Sequence, residues 1–325
     1  MKSKFKKIII TGGAGFIGSN LAKYLLSKDI EKLLIIDDLS TGNLTNIKDI
    51  LENEKIEFIE SRIEDIENLN ELFSDYEFCY HLAAGVGVSH IMNNLSKSLM
   101  TNILATHMVL ESCKNMKIPI LLASTSEVYG VATDEIWNED TRSLIGPTTK
   151  LRWSYAASKM IDEFMALSLY QENMLKPIIV RLFNIIGPNQ VSEFGMVVPK
   201  FIEAALKNED LVVHGSGNQS RSFTWVDDVI TYITKLSELE PYGEIFNIGQ
   251  TDEITIKDLA ELIISKTNSN SKIKYLSHNE VFGNNFDDPS RRTPGINKIV
   301  EFTGIKPTKK IDFMIDKIIE FKIKK

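Results

Sequence analysis

The chain has 325 residues, of which 43% are hydrophobic and 25% charged, and its formal net charge is −7. This length can bury a substantial core, as one large α/β domain or two smaller ones. The negative charge argues against broad nucleic-acid binding, and no apolar run approaches the roughly 20 residues of a membrane-spanning helix.

The first half of the chain alternates short apolar runs with segments of helical periodicity. Strands are predicted at Lys7–Thr11, Lys32–Asp37, Glu57–Glu60, Phe78–Ala83, Pro119–Ser124 and Pro177–Phe183. Helices are predicted at Phe16–Ser27, about Leu99–Met116 and about Ser154–Gln171. Alternating strands and helices with near-continuous apolar strands predict a parallel sheet covered on both faces. The predicted fold class is α/β, with a Rossmann-type doubly wound sheet.

After Asn184 the character of the sequence changes. Loops rich in Gly, Pro and Asn, such as Gly215–Asn218, separate short strands and helices. One more core-like strand, Glu244–Ile248, is expected to return to the main sheet. The prediction is a sheet domain of residues 1–183 plus about 225–255, and a smaller mixed α/β substrate lobe at the C-terminal end, about 184–224 plus 256–325.

A glycine-rich turn joins the first predicted strand to the first helix. Gly12, Gly15 and Gly18 form GxxGxxG, a spacing variant of the dinucleotide-binding GxGxxG pattern. One glycine allows the tight turn, the next lets the backbone approach a pyrophosphate, and the third lets the helix pack close to its strand. The helix N-terminus then presents free N–H groups to the phosphate charge. Phe16 and Ile17 belong to the same predicted cofactor-binding turn.

An acidic residue ends the second predicted strand. Asp37 lies nineteen positions beyond Gly18, close to the spacing of about 20 for a carboxylate on the adenosine ribose. Such a carboxylate hydrogen-bonds a free 2′-hydroxyl and repels a 2′-phosphate, so NAD is favoured over NADP. Asp38 is either a second ribose contact or a turn residue.

A Tyr and a Lys lie four residues apart on the second long predicted helix. The spacing of Tyr155 and Lys159 places both side chains on one helix face. A phenol is a poor base near neutral pH, and a nearby ammonium favours its phenolate. The YxxxK pattern alone is weak evidence, but a strand ending at Ser124–Glu127 precedes it by some thirty residues. Doubly wound folds bind ligands at such strand ends.

Taken together, these motifs resemble the extended short-chain dehydrogenase/reductase family, in particular its NAD-dependent nucleotide-sugar epimerases and dehydratases. The resemblance runs nearly the full length of the chain, through TGGAGFIGSN, DDLSTG, HLAA, STSEVYG, YAASK, RLFNIIGP and GSGNQSRSFTWVDDV. It implies an enzyme that moves a hydride from C4 of a nucleotide-linked sugar to NAD, giving a 4-keto intermediate.

The resemblance also implies a role for each matching residue. Tyr155 would take the proton of the sugar 4-hydroxyl, Lys159 would lower the tyrosine pKa and position NAD, and Thr125 would bridge the hydroxyl to the tyrosine. The expected cofactor contacts beyond the glycine turn are Asp37 at the ribose, Asp65 at the adenine, and Ala83. The expected substrate contacts are Ser126, Asn184, Arg221 and Arg292, with both arginines at the nucleotide diphosphate.

Glu127 distinguishes between the reactions that this family runs from the 4-keto intermediate. A Glu two positions after the helper Thr is typical of its decarboxylases and dehydratases, whereas its epimerases usually have a small, non-acidic residue there. STSEVYG is similar to UDP-glucuronate decarboxylases, and Arg292 falls where they carry an arginine near the substrate carboxylate. UDP-glucuronate decarboxylation is therefore favoured. A 4-epimerase of UDP-glucose or UDP-glucuronate is the first alternative, and a 4,6-dehydratase the second.

The resemblance further implies a homodimer, because in this family the two long helices pair with their copies in a four-helix interface. No nucleic-acid or membrane partner is expected. A cytoplasmic location is expected, since the basic Met1–Lys7 lacks the longer apolar core of a signal peptide. Cys79 and Cys113 have the apolar surroundings of buried free thiols. The histidines show no metal-ligand spacing, so no metal is predicted.

Overall fold

The computed structural model describes residues 3–85, 95–192, 196–277, 280, 289 and 291–324, without the side chains of 95–98. In chain order its strands are β1 (Lys7–Thr11), β2 (Lys32–Asp37), β3 (Ile56–Glu60), β4 (Phe78–His81), β5 (Ile120–Thr125), β6 (Pro177–Leu182), β7 (Ile185–Ile186), β8 (Leu211–His214), β9 (Ser220–Ser222), β10 (Thr224–Trp225), β11 (Ile245–Ile248), β12 (Glu253–Thr255) and β13 (Ile273–Leu276).

The α-helices of the same residues are α1 (Phe16–Leu26), α2 (Leu69–Phe73), α3 (Leu95–Met116), α4 (Trp153–Gln171), α5 (Val197–Leu206), α6 (Val226–Leu239), α7 (Ile256–Thr267), α8 (Asn297–Thr303) and α9 (Ile311–Lys324). Short 3₁₀ turns lie at Leu44–Asn46, Ile63–Asp65 and Ser126–Tyr129. Among these helices, none combines the length and the apolar composition needed to cross a bilayer.

Seven of the described strands form one central sheet. They pair in parallel in the order β11-β6-β5-β4-β1-β2-β3, so the chain steps outward from β1 in both directions. All four residues of β4 are buried, as expected for a strand covered on both faces. The predicted α/β class and its doubly wound sheet are confirmed.

Two hydrophobic cores cover the two faces of this sheet. Along β1, Ile8 and Ile10 belong to the core that includes α1 and α6, whereas Ile9 belongs to the core that includes α3 and α4. This alternation is the two-residue period of a strand. Strand ends are therefore held rigidly, and the side chains that follow them are well placed for a binding site.

The predicted elements of the first half are all present. The bounds of β1 and β2 agree with the prediction residue for residue, and most others differ by one residue. α3 begins earlier than predicted, at Leu95, and β4 ends two residues earlier, at His81. The predicted return of the strand near Glu244–Ile248 is also observed, as β11 pairs in parallel with β6.

A third core lies in the smaller lobe. It is formed by α5, α7 and α9 together with β8, and includes Phe201, Leu211, Leu259 and Ile315. Three two-stranded ladders belong to this part of the chain: β10–β7 and β13–β8 are parallel and β12–β9 is antiparallel. The predicted lobe boundaries stay a prediction. Within them, α8 packs on the large sheet through Ile299, although it was expected in the smaller lobe.

Candidate active site

A cleft of about 540 Å³ lies at the carboxyl edge of the sheet, within the size range of small-molecule sites. Its walls carry the residues that end or follow β1, β2, β4, β5 and β6. Of the predicted site residues it is lined by Gly12, Gly15, Phe16, Ile17, Gly18, Asp37, Asp38, Ala83, Thr125, Ser126, Glu127, Tyr155, Asn184 and Arg292. The sequence thus predicted side chains that the fold does bring together, and Lys159, Asp65 and Arg221 do not line the cleft.

The glycine-rich turn is shaped for close backbone approach. Gly12 has a φ of +74°, and a Cβ there would lie 2.7 Å from the backbone nitrogen of Ala83. A Cβ on Gly18 would lie 2.1 Å from the carbonyl oxygen of Gly12, so α1 can pack this close only with a glycine. At Gly15, which precedes α1 and lines the cleft, a Cβ would have a single close neighbour at 3.2 Å. The turn therefore fits the pyrophosphate of a dinucleotide.

Asp37 is held at the end of β2 in a fixed orientation. Its carboxylate accepts hydrogen bonds from the backbone N–H of Ala14 and of Leu39, both at 2.9 Å. Burial raises the pKa of Asp37, and these backbone donors oppose the rise. A carboxylate has about four acceptor positions, so it can still accept from ribose hydroxyls. Asp38 accepts from the backbone and hydroxyl of Ser40, so it stabilises the turn while lining the cleft.

The adenine edge of the cleft differs from the prediction. Asp65 is exposed and ends the 3₁₀ turn of Ile63–Asp65, whose first residue is buried. Because the buried Ile63 directs the start of the turn inward, Arg62, Ile63 and Glu64 line the cleft instead. Arg62 donates to Glu64 and, at 2.9 Å, to Thr101. These residues rather than Asp65 lie at this part of the cleft, and which of them contacts an adenine stays a prediction.

Thr125 and Tyr155 meet in the cleft from β5 and α4. Both side chains line the cleft, and the Thr125 hydroxyl accepts from the backbone N–H of Glu127 at 3.2 Å. Burial raises the pKa of Tyr155, the carboxylates of Glu127 and Asp162 raise it further, and the neighbouring Thr125 hydroxyl lowers it. The pKa of Tyr155 thus depends on Thr125 in β5, on Glu127 in the turn that follows it, and on Asp162 in α4.

Lys159 lies in a buried ion pair behind the cleft. Its side chain is 2% exposed, and its ammonium donates to the carboxylate of Asp162 at 2.8 Å. The lysine charge predicted to act on Tyr155 is therefore shared with a carboxylate, and its expected effect on the tyrosine pKa stays a prediction. Near this pair, burial and the Lys159 charge lower the pKa of His81 to about 3, so its ring is neutral.

A buried cluster of charge surrounds Glu127. Arg292 donates to one carboxylate oxygen at 2.6 Å, and Arg152 donates to the other at 3.1 Å. Burial raises the pKa of Glu127, but the charges of Arg292, Arg152 and Arg221 outweigh burial and hold it below its usual value. Three guanidinium groups thus lie around one carboxylate. Such a site suits a diphosphate or carboxylate ligand.

Arg152 is a site residue to which the sequence assigned no role. It is 6% exposed, lines the cleft and stacks on the Trp153 ring, with its guanidinium carbon 4.3 Å from the ring centroid. A usable signal was present, because it lies three residues before Tyr155 at the start of α4 and so shares its helix face. Asn184 lines the cleft as predicted, and its amide donates to the carbonyl of Ser222 at 3.0 Å.

We expect Gly18→Ala to lower the free energy of unfolding by about 1–3 kcal/mol, because its Cβ would collide with backbone. Gly15→Ala is the matched control. Its Cβ meets little protein but enters the cleft, so it should unfold like the wild type and bind NAD more weakly. Urea denaturation and calorimetric titration with NAD measure both effects. Equal destabilisation of the two variants would contradict this account of the turn.

The stability of the charge cluster is expected to depend on pH. The folded-state pKa of Glu127 is lowered from its usual value of 4.5, so its stabilising effect is full above that pH and is lost as the pH falls through the lower folded value. Glu127→Gln should therefore cost most stability at neutral pH and progressively less below about pH 4.5. Urea unfolding of both proteins across this range measures the difference, with the exposed Glu172→Gln as control. A pH-independent difference would be evidence against the pairing.

Comparisons with known proteins agree with the site. Residues 8–249 match the model of the NAD dependent epimerase/dehydratase family. A UDP-N-acetyl-alpha-D-glucosaminuronate decarboxylase of Bacillus cytotoxicus is 36% identical over 303 residues, 93% of each chain. UDP-glucuronic acid decarboxylase 1 of Danio rerio is 32% identical over 316 residues, 97% of this chain and 72% of the relative.

A solved structure has the same overall architecture. The UDP-glucuronic acid 4-epimerase of Bacillus cereus, in complex with UDP-glucuronic acid and NAD, has a TM-score of 0.88 and 26% sequence identity, and the match covers 98% of this chain and 99% of that one. The predictions of an enzyme and of NAD as its cofactor are confirmed. With its glycine turn, Asp37 and Thr125–Tyr155 in one cleft, the chain belongs to the NAD-dependent epimerase/dehydratase family.

Proposed function

We propose that this enzyme is a decarboxylase, a lyase that removes the C5 carboxylate of UDP-glucuronate through a 4-keto intermediate. The observation that carries the proposal is the position of Glu127. It lies beside Thr125 and Tyr155, and two arginines hold it from opposite oxygens. A 4-epimerase of a neutral hexose, which only returns a hydride to C4, has no need of this charged cluster at the reacting sugar.

The opening step uses the Thr125–Tyr155 pair. NAD, when bound, supplies the hydride acceptor for C4 of the sugar. Tyr155 accepts the proton of the 4-hydroxyl, and the Thr125 hydroxyl, which lines the same cleft, would bridge the two. Lys159 lies one helical turn away and contributes positive charge, moderated by Asp162.

Decarboxylation then follows from the chemistry of the oxidised sugar. A ketone at C4 makes the C5 carboxylate that of a β-keto acid. When the C5–carboxylate bond breaks, carbon dioxide leaves and the electron pair passes into an enolate on C4 and C5. The Tyr155 phenol, protonated in the opening step, can donate a hydrogen bond to the enolate oxygen. A proton delivered to C5 replaces the carboxylate, and return of the hydride to C4 and of the Tyr155 proton to the C4 oxygen would leave a sugar lighter than the substrate by carbon dioxide.

The arginines orient the anionic groups of the substrate. Arg152 and Arg292 are both less than 10% exposed and line the cleft beside Tyr155. A guanidinium group binds carboxylates and phosphates through paired N–H donors. We therefore assign the uronate carboxylate to Arg292 and Arg152, and a diphosphate oxygen to Arg221, whose charge also reaches Glu127.

The curated relatives support a uronate substrate but differ in its C2 substituent. One acts on UDP-N-acetyl-glucosaminuronate and another on UDP-glucuronate, according to their names. Both substrates carry the C5 carboxylate on which the proposal rests. The two should therefore be assayed side by side.

We expect incubation with NAD to convert UDP-glucuronate or its N-acetylated analogue into a product lighter by carbon dioxide. Mass spectrometry of the sugar nucleotide measures this directly. Glu127→Gln should lower kcat by roughly 100-fold or more, the size expected for loss of a catalytic charge. Asn268→Ala, far from the cleft at the end of α7, serves as the control and should retain full activity.

The other outcomes assign other reactions. An isobaric product that proton NMR shows inverted at C4 would make the enzyme a 4-epimerase. Loss of water from a UDP-hexose would make it a 4,6-dehydratase. If neither uronate reacts, the decarboxylase proposal is wrong.

We also propose that the enzyme is a cytoplasmic homodimer. α3 and α4 pack side by side and carry large apolar side chains that are 41–65% exposed, namely Met100, Leu104, Ile161 and Phe164. Their i, i+4 and i, i+3 spacings make one apolar patch across both helices. Cys79 and Cys113 are free and buried, which supports a reducing compartment.

Phe164→Glu should convert a dimer into a monomer, because it places a charge in the centre of the patch. Light scattering coupled to size-exclusion chromatography measures the mass. Ile323→Glu is the matched control, since Ile323 is 68% exposed on α9, outside this patch. A wild-type protein that elutes as a monomer, or equal dissociation of both variants, would overturn the proposed interface.

A further inference from the structure

Glu253 lies outside the cleft but contacts the two segments that carry Arg221 and Arg292. It begins β12, which pairs antiparallel with β9, the strand that contains Arg221. Its carboxylate also contacts the segment Arg291–Thr293, which contains Arg292. Glu253 is not among the residues that line the cleft.

The bonds of this carboxylate are made to the neighbours of the arginines. Ser220, which precedes Arg221, donates to Glu253 at 2.6 Å. Arg291 and Thr293, which flank Arg292, donate at 2.6 Å and 2.7 Å at their shortest. The Glu253 carboxylate therefore binds the residues on both sides of Arg292 and the residue that precedes Arg221.

The side chains of this segment alternate in direction. Arg291 and Thr293 bond Glu253, and Arg292 between them bonds Glu127. In a strand, likewise, the side chains at i−1 and i+1 lie on one side and that at i on the other. Because Glu253 binds the side chains of Arg291 and Thr293, that of Arg292 is directed to the opposite side, where it donates to Glu127 at 2.6 Å. Burial agrees with this alternation, since the Arg291 side chain is 46% exposed and that of Arg292 is 9%.

We propose that Glu253 is a positioning residue, which holds the backbone beside Arg221 and Arg292 so that both guanidinium groups face the anionic groups of the substrate. A second set of bonds assists it at the same segment. The backbone N–H of Trp137 donates to the Thr293 carbonyl at 2.9 Å, and the backbone carbonyl of Trp137 accepts from the Gly295 N–H at 2.8 Å. The segment is thus held on both of its edges, which explains how an arginine on irregular backbone keeps one orientation.

Glu253→Gln is the discriminating variant, because it is nearly isosteric but replaces one acceptor oxygen by a donor. Arg291 cannot accept from that donor, and the loss of the carboxylate charge weakens the bonds that remain to Arg291 and Thr293, so the segment is held less firmly. We expect UDP affinity to fall by about 5- to 20-fold, which is the loss of roughly one charge-assisted hydrogen bond. NAD affinity should change by less than about twofold, within the tolerance of surface changes. Calorimetric titration with UDP and with NAD measures both.

Two further variants separate positioning from simple ion pairing. Arg291→Ala removes the half-exposed partner of Glu253, and exposed ion pairs contribute little, so its effect on UDP binding should be much smaller. Glu261→Gln neutralises an exposed carboxylate on α7 and should have none. If Arg291→Ala weakens UDP as much as Glu253→Gln does, Glu253 acts only through a surface ion pair and the proposal is overturned. Thr293→Ala, which removes a single bond, replaces Glu253→Gln if the latter does not fold.

The positioning role of Glu253 rests on the substrate class of the proposed reaction. Kinetic and structural measurements can test the two separately. In turnover of the uronate, Glu253→Gln should raise KM more than it lowers kcat, since the arginines bind rather than react. If the enzyme binds no UDP, the proposed nucleotide is wrong, and the crystal structure of Glu253→Gln then decides. Loss of the Arg292–Glu127 bond in that structure supports positioning, and its retention overturns it.

Discussion

Parallel strands that end at one edge of a sheet bring residues from distant parts of the chain to one place, and this site depends on that constraint. Gly12 follows β1, Asp37 ends β2, Thr125 ends β5 and Asn184 follows β6, and all four line the cleft. The strands cannot shift, because the side chains along them are buried in cores on both faces. The rigid sheet therefore sets the distances between the cofactor turn, the tyrosine and the charged cluster.

The electrostatics of the cleft are set by several arginines that lie around a single carboxylate, that of Glu127. Three arginines near one Glu127 would repel one another in a site of low dielectric constant, and the carboxylate reduces that repulsion while holding Arg152 and Arg292 apart. A cluster of guanidinium groups in a cleft suits a ligand with two or more anionic groups. A nucleotide-linked uronate has both a diphosphate and a carboxylate, whereas a neutral hexose nucleotide has only the diphosphate.

Local patterns made the fold and the cofactor half of the site predictable from the sequence. The glycine turn, the acidic end of β2 and the YxxxK helix each lie within a few residues, so their spacing carries the geometry. Asp65, which the resemblance placed at the adenine, does not line the cleft, because the resemblance does not say which side chain of a 3₁₀ turn points inward and the buried Ile63 decides it. Glu253 could not be found this way, since its partners lie 33 to 40 residues away along the chain. Such contacts exist only once the smaller lobe has formed.

The two halves of the site are therefore built with different precision. The sheet edge positions its residues through backbone that is packed on both sides, and it requires no special side chains to do so. The arginines come from short or irregular segments, and a long side chain there would lose considerable rotamer freedom on binding a ligand. Glu253, which accepts from the flanking side chains, and the backbone of Trp137, which donates to and accepts from the same segment, order this backbone in advance. Glu127 orders the guanidinium groups themselves. The substrate then binds to guanidinium groups that are already oriented. For this reason residues outside the cleft can determine the affinity of the cleft for its substrate.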